Sequence, residues 1–358
     1  MIFVTKSFLP PRETFNKYID KIYANHWLTN FGSLEQLLTQ KLQEFLEVEN
    51  LLLTSNGTLA MQVAYRALGI TGEVITTPFS FVATTSSLVW EKYTPIFADI
   101  NPTSLNIDPI SVSKKITAKT SAILPVHVFG RPCDVHELQK IADQNRLKII
   151  YDAAHAFNVK LNTGENVLNY GDISTLSFHA TKLFHTIEGG AVTSKDPNLI
   201  KECKKLINFG ITGYDKIESL GINGKMNEFA AAMGLAVLEN IEEIIMERQR
   251  VFETYNSLLD KSILPEQSRL ANSNYSYYPI LLPNEDVLIK VRDDLLNHDI
   301  MARRYFYPSL NTLNYIKYES CPIAEDITKR ILCLPMSPSL NKTEIIKISN
   351  LVNRNMNN

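Results

Sequence analysis

The sequence predicts an α/β protein, with a large domain around a mostly parallel central sheet and a smaller α+β domain at the C-terminus. Three observations carry this. Between residues 45 and 194, helical periodicity alternates with short apolar runs rich in β-branched residues, the pattern of strand-helix-strand units. From residue 228 the pattern changes to one long helical run and then to a mixture of isolated strands and helices. The 358 residues suffice for one large core and a second, smaller one.

In chain order, the apolar run 51–53 leads through a turn into a helical pattern that starts near residue 59. The strands expected for the sheet are 74–76, 94–99, 122–126, 148–151, 173–178 and 191–193. Crossover helices fit between them, as at 134–146, where Val135, Leu138, Ile141 and Ala142 share one helical face. Residues 228–259 read as a connecting helix, Ala-rich at first and charged later. Beyond it, 275–282 alternates as a strand, 287–298 is helical, 331–334 is a short strand and 342–352 is an amphipathic helix. The expected division is therefore 1–240, including an N-terminal segment for substrate access, and 241–358.

Composition narrows the class. With 45% hydrophobic and 21% charged residues and no biased stretch, the chain reads as an ordinary globular protein. A formal net charge of −2, without a basic block, argues against nucleic acid as a partner. The N-terminal residues lack the apolar stretch of a signal peptide and no run reaches transmembrane length, so no membrane partner is expected and the expected location is the cytoplasm. Cys133, Cys203, Cys321 and Cys333 are scattered and read as free thiols, and no His/Cys cluster has metal-ligand spacing, so no metal is expected.

Three elements carry chemistry. Ser55-Asn56-Gly57-Thr58 joins an apolar strand to a helix, a geometry that either caps the helix or offers backbone N–H groups to a phosphate. Asp152 ends the apolar run Ile149-Ile150-Tyr151, where it is either a helix cap or a carboxylate facing the ligand crevice of an open sheet. Lys182 follows the strand Leu176-Ser177-Phe178 through His179-Ala180-Thr181, among short or apolar residues that favour a desolvated amine of lowered pKa. Together these are the demands of pyridoxal phosphate: an anchor for phosphate, a carboxylate for the pyridine nitrogen and an amine for the Schiff base.

At these residues the chain resembles the DegT/DnrJ/EryC1/StrS sugar aminotransferases, which have an aspartate-aminotransferase-like fold. Further likeness lies in Trp27-Leu28-Thr29-Asn30, in Thr77 to Thr84, in Pro125-Val126-His127-Val128-Phe129-Gly130 and in Leu332-Cys333-Leu334-Pro335-Met336. The resemblance implies pyridoxal phosphate, cycling with its pyridoxamine form, as cofactor. Gly57, Thr58 and Ser177 would hold the phosphate, Phe81 would stack on the ring, Asp152 would pair with the ring nitrogen and His155 would lie near the ring hydroxyl. Thr29, Asn30 and His179 would serve the substrate. Lys182 and Asp152 would be catalytic.

The segment Gly221-Ile222-Asn223-Gly224-Lys225-Met226-Asn227-Glu228 corresponds to a family segment usually reading Gly-Tyr-Asn-Tyr-Arg-Met-x-Glu, which reaches the neighbouring subunit's phosphate. Both tyrosines and the arginine are replaced here, leaving Asn223 and Lys225 for that contact in a homodimer with shared sites. The implied substrates are L-glutamate and a nucleotide-linked keto sugar. His179-Ala180-Thr181-Lys182 differs from the Tyr-Pro-x-Lys of members acting at C3, which points to C4 of a 4-keto-6-deoxyhexose, dTDP-linked by nearest resemblance. Alternatives are amination at C3, a UDP- or GDP-linked 4-keto sugar, a non-sugar ketone and a non-catalytic cofactor-binding relative. Related dehydratases carry histidine where Lys182 stands.

Overall fold

The computed structural model describes residues 1–265 and 274–356. The chain begins with α1 (Arg12–Asn25) and α2 (Ser33–Leu46), then β1 (Leu51–Thr54), α3 (Gly57–Ala67), β2 (Glu73–Thr76), α4 (Val82–Trp90) and β3 (Thr94–Phe97). It continues through α5 (Pro109–Lys115), β4 (Thr120–Leu124), α6 (Val135–Asn145), β5 (Lys148–Asp152), β6 (Ile173–Ser177), β7 (Gly190–Thr193) and α7 (Pro197–Leu206). A short hairpin of β8 (Ile211–Gly213) and β9 (Lys216–Ile217) precedes α8 (Glu228–Leu238) and α9 (Ile241–Leu258). The C-terminal elements are β10 (Tyr278–Leu281), α10 (Glu285–Asn297), α11 (Pro322–Arg330), β11 (Ile331–Leu334) and α12 (Lys342–Met356).

Seven strands form the central sheet in the order β1-β7-β6-β5-β4-β2-β3. Within it β7 alone runs antiparallel to its neighbours β1 and β6, and every other pairing is parallel. The mostly parallel α/β sheet expected from the sequence is present. Its central strands are buried because helices cover both faces, as Ile149, Ile150 and Tyr151 of β5 illustrate. The helix α6 buries Val135, Leu138, Ile141 and Ala142 against one face.

The single helix expected over 228–259 is two helices. Asn240, between α8 and α9, turns its side-chain amide back to the carbonyl of Ala236 at 2.9 Å, a local bond that competes with the helical ladder. The halves also bury different surfaces: α8 is buried nearly all round, whereas α9 presents one stripe with Ile244, Val251 and Tyr255. The strand expected over 275–282 is confined to Tyr278–Leu281, because Tyr275 adopts a left-handed backbone with φ of 55°.

The C-terminal elements pack around their own core, in which Val251 and Tyr255 meet Ile280, Leu332, Leu334 and Ile348. The first residues of the chain join this part: Ile2 bridges Ile300, and Met336 donates its N–H to the carbonyl of Val4. Among the described residues no helix is long and apolar enough to cross a membrane.

Candidate active site

Because β7 is the one reversed strand, β1, β6, β5, β4, β2 and β3 all point the same way, and their C-terminal ends share one edge of the sheet. That edge is where an open α/β sheet accepts ligands. It carries the turn after Thr54, Ser177 at the end of β6 and Asp152 at the end of β5. A cavity of about 270 Å³ opens there, near the lower end of the size range of small-molecule sites. Gly57, Thr58, Phe81, Asp152, His155, Ser177, His179 and Lys182, eight of the residues singled out by sequence, line it.

At one wall, Asn56 caps α3 by accepting the N–H of Leu59 at 2.8 Å. The N–H groups of Gly57 and Thr58, in the first turn, have no carbonyl of their own helix to bond and are free for an anion. Close packing makes glycine necessary here. A Cβ on Gly57 would stand 2.8 Å from Cβ of Ser177, and one on Gly190 would stand 2.6 Å from the carbonyl carbon of Asn56. The turn and the Ser177 hydroxyl therefore form a tight cradle.

Asp152 is buried, with each carboxylate oxygen engaged: Thr84 donates its hydroxyl at 2.8 Å and Ala154 its N–H at 3.1 Å. The Thr84 hydroxyl is also linked to that of Ser80 at 2.7 Å. Burial raises the carboxyl pKa, and the two hydrogen bonds and the Lys182 charge pull against that rise. Such a carboxylate is stabilised by a cation brought to it. The ring of Phe81, at the start of α4, borders the same cavity and is 49% exposed, which leaves a flat apolar face for an aromatic guest.

Lys182 projects from the loop after β6, where its N–H bonds the carbonyl of His179. Desolvation lowers its ammonium pKa to about 8, with Asp152 pulling in the opposite direction. Its Nζ lies 3.3 Å from the hydroxyl of Tyr277. His179 borders the cavity with its ring held by Thr181 at 2.8 Å and with Nε2 3.5 Å from Glu188. His155 is buried, accepts the N–H of Phe129 through Nδ1 at 3.3 Å and stacks on Phe306. An accepting Nδ1 puts the proton of the neutral ring on Nε2, and desolvation holds its pKa well below the usual histidine value.

Four expected residues lie outside the chain's own cavity. Thr29 and Asn30 are exposed in a segment pinned by Glu228, whose N–H bonds Leu28 and whose carboxylate accepts the N–H groups of Leu34 and Glu35. Asn223 is exposed, and Lys225 bonds Asn208 at 2.9 Å and lies over the Phe209 ring. Their backbone nevertheless runs beside the turn, since Ser55 donates its N–H to Gly224.

Sequence reasoning missed Thr84, Glu188, Tyr277, Arg303, Tyr305 and Phe306, all of which line the cavity. Thr84 stands within the quoted segment Thr77 to Thr84, and Glu188 directly precedes the Gly-Gly pair 189–190, where a hydroxyl or carboxylate among apolar or small neighbours was the available signal. The other four come from the C-terminal third and carry no local pattern that points to a site built from residues far earlier in the chain.

The donor set fits pyridoxal phosphate: a backbone and hydroxyl cradle for its phosphate, a buried carboxylate for a pyridinium nitrogen, an aromatic face and an amine of lowered pKa. When bound, that cofactor supplies an electron-withdrawing ring that accepts the electron pair left after proton removal from a substrate carbon. The chain is 41% identical over 363 residues to the dTDP-4-amino-4,6-dideoxy-D-glucose transaminase of Escherichia coli, covering 98% of this chain and 97% of that one. It is 44% identical over 353 residues to the enzyme of that name from Shigella dysenteriae, covering 95% of each. Among solved structures, DesI in the presence of its TDP-sugar product superposes with a TM-score of 0.93 at 31% identity, covering 99% of this chain and 94% of that one. Residues 11–353 match the DegT/DnrJ/EryC1/StrS aminotransferase family, and the chain belongs to that family of pyridoxal-phosphate-dependent sugar aminotransferases.

Proposed function

We propose that this protein transfers the amino group of L-glutamate to C4 of dTDP-4-keto-6-deoxyglucose, giving dTDP-4-amino-4,6-dideoxyglucose. The observation that carries the reading is near-full-length similarity to two transaminases named for that product. In it, the N–H groups of Gly57 and Thr58 and the Ser177 hydroxyl hold the cofactor phosphate. Asp152 keeps a proton on the pyridine nitrogen, and Phe81 packs on the ring. Lys182, part neutral near pH 8, removes and returns the proton at the carbon that bears the nitrogen. His179 offers its ring to the sugar.

The cavity is small for a cofactor and a whole nucleotide sugar together, so the nucleotide belongs at its mouth. In the same reading two copies of the chain form a cytoplasmic homodimer, in which Thr29, Asn30, Asn223 and Lys225 serve the partner's site. The division at residue 240 belongs to this proposal too; residues 266–273 and 357–358 of the smaller part lie outside the described residues.

The test is incubation with L-glutamate and a set of 3-keto and 4-keto nucleotide sugars, with product structures read by NMR. Preference for a 3-keto sugar would overturn the regiochemistry. Preference for a UDP- or GDP-linked 4-keto sugar would overturn the nucleotide alone.

A further inference from the structure

Among the described residues the amine of Lys182 has one hydrogen-bond partner, the hydroxyl of Tyr277, 3.3 Å from Nζ. Tyr277 is itself held on several sides. Its ring meets those of Phe129 at 5.5 Å, His155 at 4.7 Å and Tyr305 at 5.7 Å. The backbone just before it is gripped by the buried Arg248, whose Nη1 donates to the carbonyls of Tyr275 and Ser276 at 3.4 and 3.3 Å. The hydroxyl therefore stands at a fixed point of the cavity wall, on a side chain that has no part in the cradle, the carboxylate or the aromatic face suited to the cofactor.

We propose that Tyr277 is a positioning residue whose hydroxyl holds the free amine of Lys182 on its line to the substrate carbon in both half-reactions. The inference rests on the reading that Lys182 removes and returns the proton. Lys182 can move a proton only while its amine is detached from the cofactor, and in that state the charge rides on a flexible four-carbon stem. Misplacing a reacting group by about 1 Å can cost roughly a hundredfold in rate, so a fixed partner for the amine has a kinetic effect. Asp152 does not supply that partner: it acts on the amine through its charge, and its oxygens are engaged with Thr84 and Ala154.

Burial raises the pKa of Tyr277, so near neutral pH the amine meets a protonated hydroxyl. Such a hydroxyl can accept an N–H from the ammonium or donate its O–H to the neutral amine, and the charge-assisted bond is roughly twice as strong. The contact therefore favours the ammonium, against the burial that brings the Lys182 pKa down to about 8. The other charged or titratable groups that border the cavity are Asp152 and His155 at the end of β5, His179 and Glu188 between β6 and β7, and Arg303 and Tyr305 from the C-terminal part. All of them stay in Tyr277→Phe, which deletes the hydroxyl and keeps the ring in its three aromatic contacts.

The experiment reads the amine first and the reaction second. Cofactor-free protein is labelled with acetic anhydride across a pH series, and the modified Lys182 peptide is quantified by mass spectrometry. In Tyr277→Phe the midpoint of Lys182 labelling falls by roughly half to one pH unit, the loss of a bond that favoured the charged form. In the holoenzyme with L-glutamate, single-turnover absorbance gives a maximal rate roughly ten- to hundredfold lower, with half-saturating glutamate unchanged. Tyr278→Phe, which loses the hydroxyl of the next residue from its bond to Asn256, keeps the wild-type midpoint and rate. A melting temperature close to wild type reports that Tyr277→Phe is folded. A wild-type midpoint or a wild-type rate in Tyr277→Phe, a loss expressed only as weaker glutamate saturation, or equal effects in Tyr278→Phe overturns the inference and leaves the role of Lys182 standing. A Lys182→Ala protein that keeps the half-reaction rate overturns that role and this inference with it.

Discussion

Replacing Asp152 with Asn removes one charge and almost no volume, which isolates what the carboxylate does. Burial raises the Asp152 pKa, so in the cofactor-free protein the folded state binds that proton more readily than the unfolded chain. The sign follows: ionised Asp152 costs stability in full above its folded pKa, and the cost shrinks as pH falls below that value and is gone below the unfolded pKa of about 3.9. The Asn carbonyl can take the Ala154 N–H, and its amide can donate to the Thr84 hydroxyl, so few hydrogen bonds are lost. Cofactor-free Asp152→Asn should therefore match or exceed wild type in Tm at pH 7.5, and its advantage should shrink as pH falls toward about 4.

With cofactor the order reverses. Breaking a buried ion pair by removing one partner costs about 3–5 kcal/mol, roughly two to nearly four decades in rate if the full charge is needed in the transition state. The rate of the glutamate half-reaction should fall by that factor, and the Tm increase on adding pyridoxal phosphate should shrink. Thermal melts with and without cofactor, together with single-turnover absorbance, read both effects. A variant with the wild-type half-reaction rate, or a cofactor-free variant destabilised by more than about 2 kcal/mol at neutral pH, would refute the reasoning.

Lys182→Ala should bind pyridoxal phosphate without the visible band that borohydride removes; a band that survives in the variant would assign the linkage to another lysine. In wild type, the rate at which free cofactor becomes linked should climb with pH around a midpoint near 8, because the neutral amine is the nucleophile and desolvation lowers its pKa to about 8. A midpoint near 10 would contradict the buried environment. Gly57→Ala should weaken cofactor binding more than tenfold by equilibrium dialysis, because the new Cβ would lie 2.8 Å from Cβ and 3.1 Å from Cα of Ser177 and must move the cradle by a few tenths of an ångström. Mixed dimers of Lys182→Ala chains with Asn223→Ala/Lys225→Ala chains should regain one working site per heterodimer; verified subunit exchange without recovery would count against a shared site.

Elements whose pattern is local were legible in the sequence. β5 is an apolar run that ends on a carboxylate, β6 is a buried strand with β-branched residues that ends on Ser177, and the turn at 55–58 unites a glycine with hydroxyls at a helix start, so Asp152, Ser177 and Gly57 were visible one by one. The reversal of β7 was not. An apolar strand buried on both faces reads the same in either direction, and only its pairing between β1 and β6 reveals the orientation. The break at Asn240 escaped for a related reason: helical periodicity runs through it, while the bond from its side chain to Ala236 depends on a rotamer that no pattern encodes.

The cavity's far wall shows where pattern reading stops. Tyr277, Arg303, Tyr305 and Phe306 sit in or beside short elements of the C-terminal third, and each reads alone as an ordinary strand or loop residue. What brings them to Lys182 is packing at long range: Phe306 stacks on His155 and lies edge-on to Phe79, and Asn274 bonds the carbonyls of His155 and Phe157. These contacts join the C-terminal part to the sheet edge that bears Asp152. His155 therefore has a structural duty on one side and a cavity face on the other, and its depressed pKa is the consequence of being enclosed by both parts. A protein assembled in this way divides its chemistry by origin: the groups suited to the cofactor stand at the ends of the early strands and in the turns that follow them, where local sequence announces them, and the wall that faces them arrives from a distant loop, where only the fold does.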